Sequence, residues 1–396
     1  MKKFRYIIGI VGMLTFVFST GCVEEFEANT GDIVTEGLVV EGNIVSDSTV
    51  VFQLSKTLPL NSTESNKDEF DSYLDVYAEL AVKGSDGSSI PGIWWGRGQY
   101  RVEIGTLRPD VEYHLEILYN GDTYQSEPQK PLMGTGIEKL TFSQPDLTGP
   151  VSIHLDTEAS GSDEVKYYLW YFEEDWEVRT PFQSTDLYDP QSNSIIHYSY
   201  PPVAQGWCYS GTSQIILGTT ESVVGDRIVG KTIQTIQPTD RRLSVLYSIR
   251  VQQRNLSRME YEYYQVRAKL NNEMGGLFTP QPSELPTNIT CSDPTRKVIG
   301  YVGCNMGVAH AQLYISEEEV VYIDSYNCEI GKAPTGSNLD KYAAGFQISD
   351  KTENSVEWAK NGCVDVRSWQ ANPTGRPAWW PNPYLYYQEE PDYGGF

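Results

Sequence analysis

Apolar and polar residues alternate with a period of two along much of this chain. Gln99-Tyr100-Arg101-Val102-Glu103-Ile104 and Tyr113-His114-Leu115-Glu116-Ile117-Leu118-Tyr119 put every second side chain on one apolar face, the pattern of a half-buried strand. Shorter β-branched and aromatic runs at Leu38-Val39-Val40, Val50 to Leu54 and Val76 to Val82 predict further strands. Asn120-Gly121 predicts a type I′ hairpin into Thr123-Tyr124-Gln125-Ser126, because both turn positions tolerate positive φ. Strands at roughly ten-residue spacing, without a helical period, predict an immunoglobulin-like antiparallel β-sandwich over residues 35–133. Pro128 to Gly136 reads as a hinge out of it.

A larger β-rich domain is expected over residues 137–375. Val165 to Val178 is its most aromatic strand, and Leu243, Val245, Tyr247, Ile249 and Val251 share one face of another. A single α-helix is predicted near 257–272: Ser257-Arg258-Met259-Glu260 is a capping box, and Gly275-Gly276 supplies the stop. The chain is turn-rich from Asn327 and closes in a Pro- and aromatic-rich tail, residues 376–396.

The N-terminus follows a different pattern. Lys2, Lys3 and Arg5 precede an apolar run from Tyr6 to Phe18, then Ser19-Thr20-Gly21-Cys22. Such a run is too short to span about 30 Å of hydrocarbon comfortably, so residues 1–21 read as a lipoprotein signal peptide. Ser19 stands where such signals usually carry an aliphatic residue. Cys22 is the expected lipidation site. Two or three acyl chains anchor a protein stably in a bilayer, whereas one does not. Residues 22–34 are then a lipidated tether whose Glu24, Glu25 and Glu27 resemble the surface-export signal of Bacteroidota lipoproteins. The expected location is the outer membrane, lipid-anchored, facing the cell exterior.

Charge narrows the partners. The full chain carries 30 Lys+Arg against 53 Asp+Glu; loss of the three basic residues of the signal leaves 27 against 53, or −26. Such a surface repels phosphate backbones, so no nucleic acid is expected. The five cysteines beyond Cys22 meet an oxidising compartment. Cys208, Cys291, Cys328 and Cys363 lie beside turn-forming residues, and we expect the disulfides Cys208–Cys291 and Cys328–Cys363. Cys304, in the apolar alternation Val298 to Cys304, is expected as a free buried thiol. No CxxC and no paired histidine spacing points to zinc, and no metal or cofactor is expected.

No catalytic motif is present: His114, His154, His197 and His310 are dispersed, and no nucleophile elbow or phosphate loop occurs. Glu173-Glu174-Asp175 reads as a solvated rim, with at most Glu173 and Asp175 on one strand face, and Glu317-Glu318-Glu319 as an acidic turn. Aromatics are the stronger signal. Trp94-Trp95 in an apparent loop and Trp379-Trp380 in the tail either stack on a sugar, peptide or partner loop, or plug the sandwich ends. Tyr198 and Tyr200 belong to a candidate binding loop between Gln183 and Trp207.

Several segments resemble domain-of-unknown-function family 4249: Leu38 to Gly42, Leu54 to Thr57, Tyr171 to Phe182, Arg241 to Ile249, Gly275 to Ser283, and Pro286 to Cys291 leading to Val302. They lie in order across roughly residues 35 to 370. The resemblance implies an outer-membrane lipoprotein of the Bacteroidota, and a companion of a TonB-dependent outer-membrane transporter. Its cysteine pattern fits Cys208, Cys291, Cys328 and Cys363, with Cys304 where a small residue is expected. It supplies no catalytic residue. The expected function is a non-enzymatic ligand-binding or accessory subunit. The alternatives are a glycan or peptide hydrolase using carboxylates from separated segments, and an adhesion or structural β module.

Overall fold

The computed structural model describes residues 37–57, 67–162, 164–182, 184–197, 204–212, 214–273, 285–326 and 328–381. Cys22, the signal, the tether, Tyr198, Tyr200 and the Gly275-Gly276 stop lie outside the described residues.

The protein is mostly β. Its first elements are β1 (Leu38–Glu41), β2 (Ile44–Val45), β3 (Ser48–Lys56), α1 (Lys67–Leu74), β4 (Glu79–Gly84), β5 (Ser89–Pro91), β6 (Ile93–Gly96), β7 (Gln99–Ile104), β8 (Tyr113–Tyr119) and β9 (Asp122–Ser126). The predicted hairpin between β8 and β9 forms, with φ of 53° at Asn120 and 88° at Gly121. Then come β10 (Ile137–Ser143), β11 (Val151–Thr157), β12 (Tyr167–Arg179), β13 (Asp186–Asp189), β14 (Ser194–His197), β15 (Gln205–Gly211), β16 (Ile216–Thr219), β17 (Lys231–Ile236), β18 (Leu246–Leu256) and α2 (Arg258–Glu273). The chain closes with β19 (Ile289–Cys291), β20 (Val298–Gly300), β21 (Cys304–Asn305), β22 (Ala309–Ser316), α3 (Asn338–Ala343), β23 (Phe346–Lys351) and β24 (Val356–Lys360).

Two five-stranded sheets, β20-β1-β3-β7-β6 and β19-β9-β8-β4-β5, face each other as the first sandwich. Leu38, Val40, Phe52, Leu54, Leu80, Val82, Tyr100, Val102, Leu115 and Ile117 fill the space between them. Residues 35–133 do not complete it alone. β19, β20 and β21 return from beyond α2 to pair with β9, β1 and β2. The β1–β20 and β2–β21 pairs are parallel, so this sandwich is not wholly antiparallel. Gly300 makes that pairing possible: at φ 137° a Cβ would collide with the Val40 carbonyl.

The second sandwich packs the sheet β10-β11-β17 on β15-β12-β18-β22, with β16 also paired to β12. Val151, Ile153, Leu155, Tyr168, Trp170, Phe172, Tyr247, Ile249 and Val251 form its core. β12 is long because its even-numbered residues meet this core while Tyr167 and Leu169, on its other face, pack under α2. The predicted helix forms, and the Ser257 hydroxyl accepts the Glu260 N–H at 3.2 Å. α1 and α3 are two helices beyond the single one expected; a Ser337/Asp340 capping box starts α3.

The segment read as a hinge is tied down. Gln129 bridges to Tyr113, Leu132 to Asn305, and the Thr135 N–H donates to Asn255 Oδ1 at 2.9 Å. Beside it, Arg254 and Glu260 form a buried ion pair. Arg254 also donates to Asn43 Oδ1 at 3.1 Å, Asn305 Oδ1 at 3.3 Å and Tyr264 Oη at 3.1 Å, which joins both sandwiches to α2. Burial pushes the Glu260 carboxyl up, with Arg254 pulling against it.

Candidate ligand-binding cleft

The acidic run of β12 is solvated only at Glu173, whose side chain is about half-exposed. Glu174, Asp175 and Glu177 are 3%, 6% and 3% exposed, each with a partner far away in sequence. Glu174 accepts from Arg242 Nη1 at 2.8 Å, Tyr247 Oη at 2.6 Å and Gln234 Nε2 at 3.1 Å. Glu177 takes Arg179 Nε at 2.8 Å and Gln205 Nε2 at 2.6 Å. Glu173 and Asp175 share one strand face, as alternation requires, and one nitrogen, Arg250 Nη2, reaches them at 2.9 and 3.3 Å. Burial pushes the Asp175 carboxyl up; Arg250 opposes this and Glu173 adds to it.

Asp175 opens onto a cleft of about 450 Å³ between two walls. One wall is β12 and β15, with Trp176, Trp207, Cys208, Tyr209 and Ser210. The other is the segment after the 3-10 turn Val366–Trp369, with Trp369, Gln370, Asn372 and Gly375. A two-way backbone pairing holds the walls together: Trp207 N–H to Asn372 O at 3.1 Å and Asn372 N–H to Trp207 O at 2.9 Å. Gly206 permits this approach, since a Cβ there would sit 2.8 Å from Val366 Cγ2. The volume lies in the range of about 300–1,000 Å³ typical of small-molecule sites. Trp369 also walls a smaller cleft of about 220 Å³, where Arg241 stacks on it at 3.9 Å and on Tyr326 at 4.7 Å.

The expected site residues divide. Trp379 borders this region, stacked 4.4 Å over Arg250. Trp380 is buried and donates to Glu177 at 3.3 Å, a plug rather than a contact surface. Trp94 and Trp95 are not in a loop but on β6, an edge strand of the first sandwich. Both are exposed; Tyr77 lies 5.0 Å from Trp94, and Arg101 5.5 Å from Trp95. The sequence reaches Trp207 only as the end of the candidate loop, and Tyr209 and Trp369 carry no distinct signal in it. Their signal, aromatic residues among turn formers, is shared by much of the chain.

Cys328–Cys363 is a disulfide with Cα atoms 5.7 Å apart. The expected Cys208–Cys291 bond does not form, and both are free thiols. Cys208 stands opposite Trp176 in the second sandwich, while Cys291 stands opposite Tyr124 in the first. Cys304 is free and buried, its thiol pushed up to about 12 by burial and the nearby Glu260 charge. Burial also raises Cys208, so this cleft-lining thiol is not a thiolate nucleophile at neutral pH. Among the described residues no three His, Cys, Asp or Glu side chains gather as a metal site. No described helix is long and apolar enough to cross a membrane.

The model of the domain of unknown function DUF4249 matches residues 23–306. The chain belongs to that family. The match stops short of residue 370, so the cleft wall from Trp369 to Gly375 lies beyond it. The chain matches no curated protein. Among solved structures, the adhesin InvE of Yersinia pseudotuberculosis aligns over 82% of this chain and 73% of its own, at 10% identity and a TM-score of 0.19, too low to bear on the fold.

Proposed function

We propose that this protein is an outer-membrane lipoprotein, anchored through Cys22 and facing the cell exterior, that acts as a non-enzymatic ligand-binding accessory beside a TonB-dependent transporter. The observation that carries the binding reading is the cleft itself: aromatic walls, dispersed polar groups, and Glu173 and Asp175 tied to one guanidinium nitrogen. Glycoside cleavage needs two carboxyls about 5–10 Å apart with the scissile bond between them. Arg250 occupies that space. The N-terminal pattern ending in Cys22 and the acidic tether support the setting. Deletion of the protein should impair uptake of the transporter's substrate, and a Cys22→Ala chain should not restore it. Unimpaired uptake in the deletion strain contradicts the reading.

One observation favours a second reading, glycan hydrolysis: burial keeps Asp175 protonated to higher pH than a free carboxyl. Glycan turnover by the purified protein, abolished in Asp175→Asn, would support it against the first.

A further inference from the structure

Resting on the reading of the cleft as a ligand site, we infer that its ligand is a neutral saccharide. Four aromatic side chains line the cleft: Trp176 packs largely into the sandwich core and Trp369 carries Arg241 on one face, which leaves Trp207 and Tyr209 to offer ring surface to the C–H face of a pyranose. Polar groups stand among them at the same surface. Asn372 Oδ1 accepts from the N–H and hydroxyl of Thr374, both at 3.0 Å, which leaves its NH₂ to donate. Gln370 has no side-chain hydrogen bond among the described residues, and it lines the cleft as the left-handed cap, at φ 62°, of the turn Val366–Trp369. Ser210 and Asp175 add a hydroxyl and acceptor oxygens. Adjacent donors and acceptors beside an aromatic face match the vicinal hydroxyls of a sugar, each of which both donates and accepts.

Charge and topology disfavour the competing classes. Among the described residues no Lys or Arg lines the cleft, and the Arg250 cation beneath it is paired with Glu173 and Asp175, so an anionic ligand finds no unpaired counter-charge there. An extended peptide would bind by adding a strand to the β15 edge. The Trp207–Asn372 pairing already takes both backbone groups of Trp207 in the middle of that edge, which interrupts it for an added strand.

The test uses the purified full-length mature protein and a panel of neutral hexoses, N-acetylhexosamines and their disaccharides. Glucuronate and dialanine serve as anionic and peptide probes. Saturation-transfer NMR detects binding and calorimetry measures it. Neutral sugars should bind, and Trp207→Ala and Tyr209→Ala should each weaken binding about fivefold or more, whereas Trp95→Ala should leave it unchanged. Tyr209 is 63% exposed, so its variant keeps the test valid if Trp207→Ala does not fold. No sugar binding, preferential binding of glucuronate or dialanine, or indifference to Tyr209→Ala overturns the inference. A protein that binds no sugar yet co-purifies with a transporter refutes the ligand class alone; loss of both refutes the accessory reading too.

Discussion

Arg254 on β18 and Glu260 on α2 are buried against each other where the two sandwiches meet. Arg254 cannot shed its charge, so removing its partner strands a buried cation. Glu260→Ala should cost about 3–5 kcal/mol in urea unfolding. Because Asn43 and Asn305 of the first sandwich share the same guanidinium, the variant should also expose the 128–136 segment to proteolysis.

Cys328–Cys363 closes a loop of sequence separation 35, and Cys363 lies just before the turn that delivers Trp369 to the cleft. Replacing both cysteines by serine should lower stability by about 3–4 kcal/mol. Mass spectrometry after alkylation should find Cys208, Cys291 and Cys304 modified in the denatured, unreduced protein. A Cys208–Cys291 peptide pair would contradict the arrangement.

The alternating strands were legible because each needs only its own residues to declare a face: Gln99–Ile104 and Tyr113–Tyr119 form as read. The α2 start was legible for the same local reason. Partnership was not. Period two reads Val298 to Cys304 as one strand; it is two, β20 and β21, and the pattern does not say that they cross back to β1 and β2. The β12 carboxylates looked solvent-facing because their cations, Arg242 and Arg250, lie about seventy residues away. The cleft is not legible in the sequence because its second wall arrives through the Trp207–Asn372 pairing, which no local pattern announces.

Gly206 sets the distance between the cleft walls. Gly206→Val should cost about 1–3 kcal/mol through overpacking against Val366 and Ala371, and should weaken any ligand bound in the cleft. Calorimetric unfolding with a parallel binding titration checks both. Retained binding at full affinity would mean the wall from Trp369 to Gly375 is dispensable.

His114 is held below the usual imidazole value of 6.5, chiefly by burial and also by Lys83, against the pull of Glu116. The unfolded chain therefore takes up this proton first as pH falls. Stability from His114 is full above pH 6.5 and is lost as pH drops below it through the depressed native value. His114→Gln should flatten the pH dependence of the urea midpoint between neutrality and mild acid; an unchanged slope would exclude the effect.

The most direct measurement is affinity purification of the lipidated protein from native outer membranes in mild detergent, with mass spectrometry of what accompanies it. The account predicts a TonB-dependent transporter in stoichiometric amount, lost when Cys22→Ala removes the anchor. Recovery of the intact lipoprotein with no transporter would contradict it.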